Sequence, residues 1–342
     1  MRIGAALLTA GVVVVSVSCT LRGTVGVVDS EQTGLGTSGT GQDTNDEGEI
    51  LDVAGTDGNI CVDRGLINGE GDCEPAPISG DLQPALEWSW SGEGEDTDTL
   101  VIPLVINLTD DDGNGRVDLC DTPDVLVTAG PPAAAVPISD PRAHIYALDG
   151  ATGSVHWVSE VLVRGTITPA VGDINGDGRV EVVTLAPATE CDQVRPTPPQ
   201  YYSQLVAIAD DGSLHWRSPH CFGATQADAV ALAHLQDGNR ADIMVADRVF
   251  AANGAFRFAA TVTGPDEDTP RVAPLFPFAI DLDGDSTTAP DLEVVWPHVV
   301  RDGDGTLLFE DMDERGGFIH AANFDGDPAP ELVLASDAGL VL

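Results

Sequence analysis

Oxygen-bearing side chains recur at alternate positions in short, glycine-containing loops, and that is where this sequence could do chemistry. The clearest loop is Asp173-Ile174-Asn175-Gly176-Asp177-Gly178-Arg179-Val180-Glu181. Asp173, Asn175, Asp177 and Glu181 hold its positions 1, 3, 5 and 9. Glycine at position 6 permits a sharp turn, so the carbonyl at position 7 can point inward. Ca²⁺ is a hard cation that takes six to eight oxygens in a flexible shell, which a loop of this kind can supply. Without an ion these carboxylates would repel one another at close range.

The same frame recurs at Asp110, Asp112, Asn114, Gly115 and Asp118. It returns with two extra residues at Asp281, Asp283, Asp285 and Asp291, and again at Asn323, Asp325, Asp327 and Glu331, where Pro328 replaces the glycine. A degenerate copy runs from His234 through Gln236 and Gly238 to Asp242. It keeps the length but loses most ligands, so weak or no metal is expected there. Asp, Asn and Gly also dominate ordinary turns; the case for Ca²⁺ rests on four good copies, each set between apolar β-type runs. An EF-hand would need a flanking helix on each side and a Glu at position 12, whereas here position 9 closes the loop and β-branched residues follow.

Two elements alternate from about residue 86 onward and must position these loops. One is an apolar run, an acidic loop, then a second apolar run, as in Ala170-Val171-Gly172 before the Asp173 loop and Val182-Val183-Thr184-Leu185 after it. The other is a hairpin phrase: strand, Gly-containing turn, strand ending in an aromatic. It spans 147–157 (ending His156-Trp157), 207–216 (ending His215-Trp216), 249–258 (ending Phe258) and 299–309 (ending Phe309). Together they give four short strands per unit of roughly 40 to 60 residues, a period that points to a propeller or solenoid. Four antiparallel strands per unit favour an all-β propeller. Four full units and the first two strands of a fifth are expected, and the chain is expected to be a fragment. The alternative is that Trp88 and Trp90 lie on a strand that helps close a smaller ring. The Pro-rich stretch 186–200 reads as a long loop within one unit.

The rest of the chain is simpler. It has 342 residues and a formal charge of -41, and its 15 basic residues are all Arg. So acidic a chain repels phosphate backbones, which excludes nucleic acid as a partner. Ordered motifs favour cation binding over adaptation to salt. Arg2 and the short apolar stretch Ile3–Val17 read as an export signal, too short for a comfortable membrane span. Its end, Ser16-Val17-Ser18-Cys19, resembles a bacterial lipoprotein signal, which implies acylation at Cys19 as the one membrane link; ordinary secretory cleavage is the alternative. Residues 20–57, rich in Gly, Thr, Ser, Asp and Glu, read as a flexible tether, and 58–85 as a small Cys-containing segment. Export permits disulfides. Cys61 with Cys73 and Cys191 with Cys221 are the pairings expected from proximity in sequence, leaving Cys120, although connectivity is not fixed by one sequence.

The loops resemble the FG-GAP (VCBS-type) repeats of integrin α-like β-propellers, on Asp173–Gly178 with Glu181-Val182-Val183 and the related copies, over about residues 86–342. The resemblance implies blades 86–342, with each loop between the first two strands of a blade and Ca²⁺ in it. Carried over by position, the ligands are Asp110, Asp112, Asn114, the carbonyl of Arg116 and Asp118, then Asp173, Asn175, Asp177, the carbonyl of Arg179 and Glu181. The later loops depart from the pattern as described.

No catalytic constellation stands out. None of the seven His lies in a metal spacing such as His-Glu-x-x-His. His156 and His215 take equivalent places beside Trp, which fits packing or surface roles, and His220-Cys221 fits a disulfide or loop better than nucleophilic chemistry. The expected function is a cell-envelope or secreted binding and adhesion scaffold with structural calcium and a protein or glycan ligand. The alternative is a propeller-based enzyme, or a non-catalytic module of a longer enzyme, acting on carbohydrate.

Overall fold

A β-branched run between two turns buries itself best as a strand, and the second and third apolar runs of the four complete repeats do so. The computed structural model describes residues 85–111, 113, 115, 117, 121–132, 142–189, 202–223, 228–235, 240–260, 276–282, 292–311, 317–324, 330–336 and 339–341. The chain divides into two units, 1–47 with 56–86 and 48–55 with 87–342. Only residues 85 and 86 of the first are described, so the fold below is that of the second. The export signal, the tether and the Cys61–Cys73 segment lie outside the described residues.

Five antiparallel sheets follow in chain order. The first runs β1 (Leu104–Ile106), β2 (Asp124–Ala129), β3 (Arg142–Leu148), β4 (Val155–Val158), with a short β5 (Val163–Arg164) also paired to β3. The second is β6 (Ala170–Gly172), β7 (Glu181–Pro187), β8 (Ser203–Ile208), β9 (Leu214–Arg217). The third is β10 (Val230–Ala233), β11 (Asp242–Val245), β12 (Arg248–Phe250), β13 (Phe256–Ala259), and the fourth β14 (Phe278–Ile280), β15 (Glu293–Trp296), β16 (Val299–Arg301), β17 (Leu307–Glu310). The fifth has β18 (Phe318–Ala322), β19 (Glu331–Ser336) and β20 (Gly339–Val341). The fifth thus shows three strands where two were expected. No helix occurs among the described residues, and no described sheet closes on itself.

The hairpin phrases are the third and fourth strands of the four complete sheets, and they share an irregularity. The register shifts at Ala147/Leu148, Ala207/Ile208, Val249/Phe250 and Val300/Arg301, one step before the turn each time. A bulge there adds twist to the outer strand.

Central strands are buried on both faces, and their period-two alternation sends neighbours to opposite cores. Val182 and Ile208 pack with Leu126, Ile145 and Ala147 of the first sheet. Val183, Leu185, Leu205 and Ala207 pack with Ile243, Val245 and Phe250 of the third. On the far side of the third sheet Met244 and Val249 meet Val294, Trp296 and Val299 of the fourth. The first four sheets therefore stack face to face in sequence order. The inner strands β6, β10 and β14 are also neighbours in that order. A parallel bridge from Thr168 to Ala229 leads from the second sheet into the third.

The outward face of the first sheet carries Val127, Ala129, Tyr146 and Leu148, covered by Trp88 and Trp90. These two tryptophans lie in no strand. The Trp88 indole Nε1–H donates to the Gly150 carbonyl at 2.8 Å, and the Trp90 ring lies 5.0 Å from that of Tyr146.

Candidate functional site

Each acidic loop is a first-to-second-strand connection, and an acid opens every second strand: Asp124, Glu181, Asp242, Glu293 and Glu331. In the second sheet the loop from Gly172 to Glu181 is described throughout. Asp173 turns back over it: Oδ1 accepts the N–H groups of Gly176 (2.7 Å) and Asp177 (3.2 Å), and Oδ2 accepts that of Gly178 (2.7 Å). Asp177 Oδ1 accepts the Arg179 N–H at 2.9 Å. Gly176 and Gly178 sit at φ of +79° and +83°, a left-handed region that side chains disfavour, which is why glycine alternates with the acids. Ile174 plugs the core beneath, fully buried.

Glu181 closes the loop from below. Its Oε2 accepts the Ile174 N–H at 3.1 Å, and its Oε1 accepts from Asn175 Nδ2 at 2.9 Å. Burial pushes its carboxyl up to about 7, against the Ile174 hydrogen bond, and the charges of Asp177, Asp173 and Asp210 push the same way. Arg179 does not reach Glu181. Its guanidinium forms a bidentate pair with Asp210, with both N–O distances at 2.8 Å.

The acids that open the second strands of two other sheets have basic partners. In the first sheet Asp124 Oδ2 accepts the Leu108 N–H at 2.9 Å, and Oδ1 meets His156 Nε2 at 2.9 Å. In the third, buried Asp242 is paired with Arg257, whose charge opposes the rise that burial imposes on that carboxyl. His156 and Arg257 hold equivalent places, one residue before the fourth-strand aromatic. Among the described residues no basic side chain pairs with Glu181. In the degenerate His234 copy, then, a guanidinium stands where a bound cation would be needed.

In the remaining loops, Asp110 Oδ2 accepts the Gly115 N–H at 2.7 Å, the same five-residue reach as Asp173 to Gly178. The Asp111 N–H donates to Asp121 Oδ1 at 2.8 Å, so Asp121 takes the closing part three residues after Asp118. Asp112, Asn114, Arg116 and Asp118 lie outside the described residues. Glu293 accepts the Leu282 N–H at 2.5 Å, so the place of Glu181 is taken two residues beyond Asp291. Asp281 is described, and Asp283, Asp285 and Asp291 are not. Glu331 accepts the Phe324 N–H at 2.6 Å beside Asn323, while Asp325 and Asp327 are outside the described residues.

Sequence reading thus missed Asp121, Asp124, Asp210 and Glu293. A usable signal existed for two of them: an acid directly before a β-branched run marks Asp124 and Glu293 as it marks Glu181. Among the described residues no three His, Cys, Asp or Glu converge as a cation cage. The donor chemistry of the Asp173 loop still suits a hard cation, because Asp173, Asn175, Asp177 and Glu181 offer only oxygen or amide groups around a buried carboxyl. Cys221 is disulfide-bonded, and Cys191, its expected partner, lies outside the described residues.

No protein-family model and no curated protein sequence matches the chain. Solved structures do. The biofilm matrix protein Bap1 of V. cholerae is similar over 75% of this chain and 38% of its own length, at 25% identity and a TM-score of 0.58. The exotype rhamnogalacturonan lyase YesX matches over 70% of this chain and 47% of its own, at 16% identity and 0.44. A Bacillus licheniformis rhamnogalacturonan lyase matches over 68% and 46%, at 16% and 0.45. The chain therefore spans less than half the length of each of these structures.

Proposed function

We propose that this chain is an exported, calcium-binding β-propeller module that serves as an adhesion scaffold, as a matrix protein does. The likeness to Bap1, a biofilm matrix protein, supports the adhesive part. Consecutive sheets stacked in order, with the first strands of the second, third and fourth as neighbours, support the propeller. Its surface loops hold the protein or glycan ligand, and Cys19 is the lipid anchor.

One observation carries the calcium. Glu181 is a buried carboxyl with three nearby acids and no basic partner among the described residues, where Asp124 has His156 and Asp242 has Arg257. Asp173, Asn175, Asp177 and Glu181 would hold the ion, which would neutralise the acids and fix the first-to-second-strand turn. Its role is structural, with affinity on the order of 10⁻⁴ to 10⁻³ M as in extracellular modules.

Calorimetry of the full chain tests this. Millimolar CaCl₂ against EDTA should raise Tm by several degrees, since a ligand that binds only the folded state stabilises it by mass action. The Asp173→Asn, Glu181→Gln double variant should lose most of that rise. An unchanged Tm with calcium would remove the ion from this account.

A further inference from the structure

The acids that open the second strands share one frame. Each stands opposite the last residue of its first strand: Asp124 opposite Ile106, Glu181 opposite Gly172, Asp242 opposite Ala233, Glu293 opposite Ile280 and Glu331 opposite Ala322. Two residues beyond that strand, a backbone N–H donates to the acid. Leu108 donates to Asp124, Ile174 to Glu181, Leu282 to Glu293 and Phe324 to Glu331. Leu235 does the same for Asp242. Asp124, Glu181, Asp242 and Glu293 are buried. A neutral hydrogen bond holds a buried carboxylate in place but does not balance its charge.

What balances the charge differs between sheets, and the difference sits at one position. The register shift in each hairpin leaves one fourth-strand residue without a cross-strand partner: His156, His215, Arg257 and Leu308 in the four complete sheets. A bulge of this kind re-aims a side chain. In the first and third sheets it carries a base back across the third strand to the opening acid. His156 Nε2 lies 2.9 Å from Asp124 Oδ1, on the oxygen that Leu108 leaves open. Arg257 pairs with Asp242 Oδ2. Arg257 brings a permanent charge and His156 a ring that takes a proton. In the second sheet the position holds His215, which is exposed. Among the described residues Glu181 is met by Ile174 and Asn175 and not by His215. In the fourth sheet the position holds Leu308, which has no charge to give.

We infer that the fourth-strand bulge residue is the built-in counter-cation of its repeat, and that its identity selects whether the opening acid is balanced from within the chain or by a bound ion. Where the residue reaches the acid, as His156 and Arg257 do, that carboxylate needs no ion. Where it turns outward, as His215 does, the place is open to Ca²⁺. The counter-cation half rests on the repeat geometry alone. The selection half rests also on the calcium reading of the Asp173 loop. His215 is in this sense a selecting position that acts through Glu181 and is not itself a ligand.

The test moves a guanidinium one sheet back. His215→Arg gives the second sheet the side chain that Arg257 gives the third. His320→Arg adds the same charge at an exposed residue of β18 and controls for simple relief of the net charge of -41. Both variants and the parent, as full chains, are melted in EDTA and in millimolar CaCl₂, and bound calcium is counted by equilibrium dialysis. The pH is 8, above the value of about 7 to which burial pushes the Glu181 carboxyl. In EDTA His215→Arg should melt about 3 °C or more above His320→Arg. In calcium it should lose most of the parent's rise in Tm and one bound ion per chain, while His320→Arg keeps both. A parent that neither binds calcium nor gains from it would sink the calcium reading and the selection half together, and the EDTA comparison would still decide the counter-cation. An EDTA melting point no higher than that of His320→Arg overturns the counter-cation. Full calcium binding by His215→Arg, where the parent binds, overturns the selection.

Discussion

Trp88 beside the first sheet and Phe309 on the fourth present comparable rings, yet one is packed against a turn glycine and the other is mostly exposed. At the first sheet Trp88 and Trp90 lie over Val127, Tyr146 and Leu148, although neither belongs to a strand. At the fourth, Phe309 stands at the register position of Trp157, Trp216 and Phe258, and among the described residues it is mostly exposed. In stacked repeats each unit buries only one face against each neighbour, so the ends need something that is not a full repeat. Trp88 shows the minimum: a ring on the turn glycine and one indole hydrogen bond.

Truncating the two rings should show the largest difference. Trp88→Ala removes a large half-buried side chain and should cost about 2–3 kcal/mol, below the roughly 3–5 kcal/mol of fully buried Trp→Ala changes. Phe309→Ala removes a ring that is mostly in water and should stay within about 0.5 kcal/mol. Urea denaturation of the two variants in the same buffer checks this. Equal losses would mean that Phe309 is covered in solution as Trp88 is.

A glycine pair sharpens the point at the covered end. Gly94 and Gly153 both sit at left-handed φ, +59° and +71°, but Gly94 has open space where its Cβ would be and Gly153 has the Trp88 ring at 2.6 Å. Gly94→Ala should therefore cost about 1 kcal/mol, the backbone strain alone. Gly153→Ala adds displacement of the ring and should cost about 1–2 kcal/mol more. Matching losses would show that the ring yields freely and that the contact does not hold the end.

Much of this was legible before the structure, and the gaps have a physical pattern. The hairpin phrases, the strands of each unit and the Asp173 loop follow from local chemistry: alternation, turn glycines and oxygen spacing within a dozen residues. The closing acids of the altered loops were harder. A fixed nine-residue count leads to Asp118 and Asp291, whereas the carboxylates that receive the loop N–H groups are Asp121 and Glu293. Glu293 is positioned by the start of its second strand, so an insertion in the loop moves the count but not the acid, whereas Asp121 lies three residues before β2. The pairs Asp124–His156 and Asp242–Arg257 join a second strand to a fourth, and sequence alone placed His156 only in a packing or surface role. The stacking of Trp88 on Gly153 spans two units and leaves no local trace.

The smallest expected effect concerns the polar part of the covered end. Behind Trp90, the Tyr146 hydroxyl donates to Asp96 Oδ2 at 2.8 Å, and the same oxygen meets His144 Nδ1 at 2.7 Å. Burial first, then the hydrogen bond to Asp96 and the charges of Asp96 and Glu93, holds the Tyr146 phenol well above its usual range. The folded state thus keeps a proton that the unfolded chain gives up near pH 10. Stability from this group is whole below pH 10 and is lost as pH rises beyond it, because the unfolded state then binds fewer protons than the folded one. The chain has no Lys to titrate in that window. Tyr146→Phe should cost about 1 kcal/mol at pH 7, one hydrogen bond's worth, and should flatten the decline between pH 10 and 11. A variant with an unchanged alkaline decline would place that titration elsewhere, and Trp90 would then cover the end through its apolar face alone.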